Sequence, residues 1–320
     1  MQVTYDGEHS LLIGDFVETV DKYGRDVEVF QESSFLNTWD HWKLIPKERP
    51  IIQPPEVQNE IIEVPGSNGV MDFTDVLLGY PLYHNRSGSL DFYVDTSQDG
   101  VTWDKAYDLA INELHGMHKK VILTDTRSFY YEGRLSVNSF NSDKMCSTIS
   151  LDYNFSPFKK MLFTTGEDWL WNPFDFLYGT FIDQNEFYIV TVPANTVMTS
   201  EEYYGDYEDW PYHLVFNKDT GGYMPTTPDI ILTAPYGFTS ENAPDVVVSY
   251  ERKDKAYGSP TTYTFSTLEL NSHNVHGSYI KHDQRITVGC PVLRSKTIMR
   301  FENPTSSAVT FTVDFRQGRL

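Results

Sequence analysis

Short runs of β-branched and aromatic residues, each cut off by Gly, Asn, Asp or Pro, fill most of this chain and constrain its fold more than any other feature. In the first half "NEIIEV", "GSLDFYV", "KKVILTD", "FYYEGRLSV" and "CSTISLDYNF" all read as strands. Within the last, Ile149, Leu151, Tyr153 and Phe155 alternate with Thr148, Ser150, Asp152 and Asn154. A period of two puts the first set on one face and the second on the other, the pattern of a sheet that is wet on one side.

One segment departs from this. "VTWDKAYDLAINELHGM" places Trp103, Tyr107, Ala110, Ile111, Leu114 and Met117 at spacings of 4, 3, 1, 3 and 3, which is a helical stripe. Thr102 is the expected N-cap, with Asp104 in the first turn where the helix dipole favours negative charge, and Gly116 is placed to end the helix. The first half is therefore predicted to be β with one helix.

The strand pattern stops at Pro157, and "NFSPFKKMLFTTGEDW" marks a boundary. Two domains are expected, 1–162 and 163–320. Beyond the boundary "EFYIVTV", "YHLVFN", "DIILTA", "DVVVSYER", "TTYTFSTLEL", "SYIKHDQRITVG", "KTIMRFEN" and "AVTFTVDFR" are again strand-like, with no convincing helix between them. The last alternates Val309, Phe311, Val313 and Phe315 with Thr310, Thr312 and Asp314. Short strands divided by turn residues predict a β-sandwich.

With 320 residues, 40% of them apolar and 15% aromatic, each half can bury a core, which argues against disorder. Asp plus Glu number 45 against 25 Lys plus Arg, for a net charge of -20. That disfavours nucleic acid or an anionic membrane as a partner, since both recruit positive charge. Cys146 and Cys290 are too few for a disulfide scaffold; two reduced, buried thiols are the expectation and a single bridge the alternative. No run of 18 apolar residues suggests a membrane span, and "MQVTYDGEHSLLIGDF" lacks the form of a signal peptide. The Asn85-Arg86-Ser87 triplet then reads as a plain turn.

Catalytic and metal-binding patterns are missing or incomplete in the sequence. There is no phosphate-cradling Gly loop ending in Lys-Ser/Thr and no Gly-x-Ser-x-Gly elbow. His115 and His118 are separated by the helix-ending Gly116. His273 and His276, with His282 nearby, lie in a loop, and neither histidine set has a carboxylate or cysteine to complete it. "DTSQDG", Asp95 to Gly100, imitates the start of a calcium loop, but its twelfth position is Ala106, so it reads as a turn feeding the helix. The acidic run Glu201 to Trp210 reads as a solvated loop with aromatic anchors in preference to a cation or basic-partner site. The pair of carboxylates of a glycosidase is defined by separation in space and leaves no linear pattern. No enzyme, cofactor or metal is expected.

The stretch "VPGSNGVMDFTDVLLGYPLYHNRSG", Val64 to Gly88, is too polar for a plain strand and too patterned for a loop. Around it the order is specific. A Pro-rich approach, Val-Pro-Gly-x-x-Gly, Asp-Phe-Thr, Gly-Tyr, Asn-Arg and a strand lead to the helix ending in Leu-His-Gly. A Tyr-Tyr-x-Gly-Arg strand and a strand closing near Pro-Phe-Lys follow. From about Trp39 to Lys159 the chain resembles the N-terminal domain of phage distal tail proteins. The second half is similar only in architecture and in its ending "DFRQGRL".

The resemblance implies a mainly β chain. Its N-terminal β-sandwich with one α-helix would be a tail-tube-like ring domain, and its C-terminal sandwich would be galectin-like or carbohydrate-module-like. It implies a structural virion component at the tail tip, assembled in the host cytoplasm. Such a component forms a homo-hexameric ring that joins the tail tube protein to the tail-tip hub and to a receptor-binding protein or host wall glycan. A ring needs heterologous contacts, one face of each subunit against a different face of the next. Asp72, Asp75, Tyr80, Tyr83, Asn85, Arg86 and His115 are the interface candidates. Alternatively, Arg86 pairs with Asp72 or Asp75 inside its own domain, and His115 is a helix stop with a partly exposed ring. Pro65, Gly66 and Gly69 suit a tight turn between strands. Trp169, Trp171 and Trp210 are candidates for stacking on sugars, with burial in a core as the other reading. The competing function is a two-domain adhesin that binds host cell-wall glycans. The segment before Trp39 either extends the first domain or forms an arm onto a neighbour.

Overall fold

The structure, a computed structural model, describes residues 9–21, 26–63, 65–66, 68–74, 81–96, 101–142, 147–165, 189–204, 209–216, 224, 229–234, 246–252, 261–265, 274–275, 278–281 and 297–320. The chain divides into two units. One comprises Met1–Thr19, Val27–Leu162 and Gly318–Leu320, the other Val20–Asp26 and Phe163–Gln317. The fold is mainly β, as the alternating runs predict, and among the described residues only two segments are α-helical.

In chain order the first strands are β1 (Leu11–Gly14), β2 (Val17–Val20), β3 (Asp26–Val29), β4 (Phe35–Asn37) and β5 (Leu44–Pro46). After these come β6 (Ile61–Glu63), β7 (Val70–Asp72), β8 (Arg86–Val94), β9 (His118–Leu123), β10 (Phe129–Asn141), β11 (Thr148–Phe155) and β12 (Lys159–Met161). The main sheet runs β4-β1-β9-β10-β11-β8-β5, with β12 on β10 and the short strand Gly318–Arg319 on β12. Its end strands β4 and β5 are joined by one tight turn, in which the Leu44 N–H donates to Thr38 O at 2.9 Å and the Thr38 N–H to Leu11 O at 2.9 Å. The segment before Trp39 contributes β1 and β4 to this sheet.

The inward positions follow the predicted alternation. Ile149, Leu151, Tyr153 and Phe155 of β11 are buried together with Leu90, Phe92 and Val94 of β8 and Leu11 and Ile13 of β1. Gly133, opposite Phe155 in the register, explains the glycine of the Tyr-Tyr-x-Gly-Arg run. A Cβ there would overlap the backbone of Asn154 and Phe155, so no side chain could yield to make room.

Helix α1 (Trp103–Leu114) caps this core. Thr102 Oγ1 accepts from the Lys105 N–H at 3.4 Å, Asp104 sits in the first turn, and Gly116 ends the helix at φ +75°. Its fully buried positions are Ala106, Ala110 and Leu114, and Trp103, Tyr107 and Ile111 of the predicted stripe pack, partly buried, against the same core. Small side chains let the helix lie close to the sheet. Trp103 and Tyr107 stand at the rim, stacked on each other at 4.8 Å, and Met117, past the helix end, is 44% exposed. Thr102→Ala should lower the stability of the first unit by about 1 kcal/mol, read as a lower urea midpoint.

In the second unit the strands are β13 (Ile189–Val192), β14 (His213–Phe216), β15 (Asp229–Ala234), β16 (Val246–Arg252), β17 (Thr261–Phe265), β18 (Asn274–Val275), β19 (Ser278–Lys281), β20 (Thr297–Glu302) and β21 (Val309–Asp314). They form two antiparallel sheets, β13-β21-β15-β19-β18 and β14-β20-β16-β17. Phe301 of β20 and Phe311 of β21, both fully buried, touch between the sheets with ring centres 4.8 Å apart. All eight segments predicted as strands in this half contain one. The second helix, Ser200–Tyr204, lies in the acidic run read as a loop.

Candidate interaction surface

The Val64–Gly88 stretch resolves into an arm. Strands β6 and β7 pair only with each other, in the register Ile61↔Asp72, Ile62↔Met71 and Glu63↔Val70. The Phe73 N–H extends the ladder to Glu60 O at 2.7 Å. Between the strands, Gly66 and Gly69 take φ of +85° and +98°, a left-handed backbone that glycine adopts without cost. At the base, Val57 bridges Tyr83, and the His84 N–H donates to Glu56 O at 2.8 Å.

The arm's composition is unusual for a solvated hairpin. Ile61, Ile62, Val70 and Met71 are 53%, 52%, 55% and 52% exposed. By the register, Ile62, Met71 and Phe73 share one face, and Ile61 and Val70 lie on the other. A two-stranded ribbon alone is marginal in water, and contiguous exposed apolar side chains mark an interaction surface. Between Pro50 and Asn85 the chain has five carboxylates (Glu56, Glu60, Glu63, Asp72, Asp75) and no Lys or Arg. None of Glu56, Glu60, Glu63 and Asp72 has an ion-pair partner among the described residues.

The predicted interface residues are thereby separated. Asp72 fixes the arm's outgoing turn: its Oδ1 accepts from the Thr74 N–H at 2.9 Å, and the Thr74 hydroxyl and N–H hold its carboxyl below the ordinary aspartate range. Asp75 and Tyr80 lie outside the described residues. Tyr83, half-buried at the arm's base, meets the Phe158 ring edge-on at 5.9 Å. Asn85 is exposed and donates to Asn154 Oδ1 at 2.9 Å. His115 is exposed at the helix end, and its Nδ1 accepts from the Val137 N–H at 3.1 Å, so the neutral ring carries its proton on Nε2.

Arg86 stands apart. It begins β8 on the inward side and is only 4% exposed. Its Nε donates to Pro157 O at 2.7 Å and its Nη1 to Gln53 O at 3.0 Å, while the guanidinium lies over the Tyr131 ring at 5.6 Å. Among the described residues it pairs with no carboxylate, Asp72 included, and Asp75 lies outside them. Two main-chain carbonyls hold its Nε and Nη1 where a carboxylate could have done so, and its Nη2 has no hydrogen-bond partner.

The tryptophans proposed for sugar stacking fare differently. Trp169 and Trp171 lie outside the described residues. Trp210 is buried, 6% exposed, against Tyr212, so it presents no open ring face. Sequence reasoning missed a buried polar cluster in the same unit. The Asn303 amide donates to the carbonyls of Val192, Pro193 and Ser307, and Arg300 Nη1 donates to Glu202 O. Burial raises the carboxyl of Glu302 above its usual range, against the opposing pull of the Met198 N–H and of Arg300. These groups clamp chain segments to β20.

Across β9, β10 and β12 of the first unit, cations are mostly neutralised. Lys119 pairs with Asp15 at 2.5 Å, Lys120 with Glu28 at 3.0 Å and Lys160 with Glu132 at 2.6 Å. Burial alone would raise the Glu132 carboxyl. The hydrogen bond from Lys160 and the charges of Lys160, Lys120 and His118 bring it below the ordinary range instead. A depressed folded pKa stabilises above the unfolded value and is lost as pH falls through the folded one. Glu132→Gln should therefore be less stable than the parent at pH 7, with the gap between their urea midpoints closing in acid below about pH 4.

No family model matches the chain, and no curated protein sequence does. Among solved structures it is similar to the SPP1 Dit protein, described as a paradigm of the hub adsorption apparatus in phages that infect Gram-positive bacteria. The identity is 12% and the TM-score 0.46, over 95% of this chain and 99% of that one.

Proposed function

We propose that this chain is a structural subunit of a phage tail tip, whose first unit assembles with copies of itself into a six-membered ring. The ring joins the tail tube protein to the tail-tip hub, and the second unit serves as a peripheral module toward the receptor-binding apparatus. The resemblance of Trp39 to Lys159 to distal tail proteins suggests the setting. The observation that carries the reading is the arm: two strands whose apolar side chains are more than half exposed on both faces have a physical reason to be covered by another molecule. The acidic charge of the chain suits a passage for DNA that must not hold phosphate.

The test is mass and image together. Light scattering on the purified chain should give six times the 36.9 kDa monomer, with the partners' mass added when tail partners are present, and negative stain should show a six-fold ring. A monomer under all these conditions, or immunolabelling that places the chain elsewhere in the particle, would overturn the reading.

A further inference from the structure

The arm is acidic and apolar, so its complement is a cationic surface with an aromatic floor. The first unit carries one. Phe129, at the start of β10, lies beneath two cations: Lys159 Nζ is 5.3 Å and the Arg319 guanidinium 5.9 Å from its ring centre. Lys159 and Arg319 face each other in the register of β12 with Gly318–Arg319, a placement that like charges oppose. Arg127, two residues before Phe129, is exposed. Neither Lys159 nor Arg127 has a carboxylate partner among the described residues, although Lys119, Lys120 and Lys160 each have one. Arg86 adds buried positive charge nearby, and its Nη2 has no hydrogen-bond partner. Burial, and then the charges of Arg86 and Arg319, hold the Lys159 ammonium below the ordinary lysine range. In a chain of net charge -20, Lys159 and Arg127 thus stand without a carboxylate partner among the described residues.

We infer that this spot receives the arm of a second copy of the chain, with carboxylates among Glu60, Glu63 and Asp72 meeting Lys159 and Arg127 while the arm's apolar face lies against Phe129. The inference rests on the ring reading and names where one subunit grips the next. Arm and spot are different surfaces of the same unit, so the contact is heterologous and propagates around a ring. It also brings the free carboxylates of one negatively charged copy to the free cations of another, where bare repulsion would otherwise keep copies apart.

Rings assembled from equal parts of 14N- and 15N-labelled full-length chain are treated with a zero-length carbodiimide cross-linker and digested for mass spectrometry. The expected result is mixed-isotope peptides joining Lys159 to Glu60, Glu63 or Asp72. In parallel, Lys159→Glu combined with Arg127→Glu should lower the ring fraction at fixed concentration at least tenfold, with an unchanged circular dichroism spectrum. Intact rings in which Lys159 gives no mixed-isotope link to the arm, or rings that survive both charge reversals, overturn the landing place and leave the ring standing. A parent chain that forms no ring sinks both.

Discussion

Ile62→Asp together with Met71→Asp should convert a ring-forming chain into a monomer of unchanged fold. The two residues face each other across β6 and β7 and are each about half exposed in the single chain. Charging them costs the isolated subunit only the mild penalty of an exposed substitution, plus about 0.2–1 kcal/mol of repulsion between carboxylates opposite in the ladder, borne by the arm and not by the core. In an assembly the same carboxylates would be buried without partners, a penalty of several kcal/mol at each of six contacts. The asymmetry is the diagnostic. Circular dichroism and the thermal midpoint should match the parent, while light scattering falls to the monomer mass. A double variant that still forms rings would show that the arm lies outside the contact.

The largest loss of stability is expected at Phe155. Its ring is fully buried, stacked on Tyr153 at 4.9 Å and on Tyr131 at 5.9 Å, and its backbone is opposed by Gly133 on one side and Arg86 on the other. Removing a buried aromatic side chain costs about 3–5 kcal/mol. The cavity cannot collapse readily here, because Gly133 already holds β10 against β11 with no slack. Phe155→Ala should thus speed amide exchange across β10 and β11 roughly a hundredfold or more. Protection unchanged in those strands would mean that the core does not depend on this stack.

The periods of two and of 3.6 were enough to find α1, β6, β8, β9, β10 and β11 and the strands of the second half, because alternation records which side faces water, but the short strands β1 to β5 and β12 carry too few residues to show a period. Arg86 shows where such reading was available but unused. Stepping back by twos from Phe92 through Leu90 and Gly88 reaches Arg86, so its inward direction is written in β8, yet its charge argued for the surface. What a linear pattern does not contain is that Pro157 and Gln53 supply two carbonyls for it. The arm fails in the opposite sense. "NEIIEV" read as a strand and Pro65, Gly66 and Gly69 as a turn, but the core is already filled by β1, β8, β10 and β11, and only the three-dimensional packing shows Ile61, Ile62, Val70 and Met71 left outside. Trp210 illustrates a third limit: an aromatic residue in an acidic run looks the same in sequence whether it anchors the chain or waits for a ligand.

The short strand Gly318–Arg319 pairs with β12, so the polypeptide returns to the sheet from which it departed at Leu162. Everything from Phe163 to Gln317 is thus an excursion between two adjacent rungs of one ladder. Such an excursion behaves as a cassette: a lineage can splice a different module between Leu162 and Gly318, or shorten the one it has, without breaking a hydrogen bond of the ladder that brackets it.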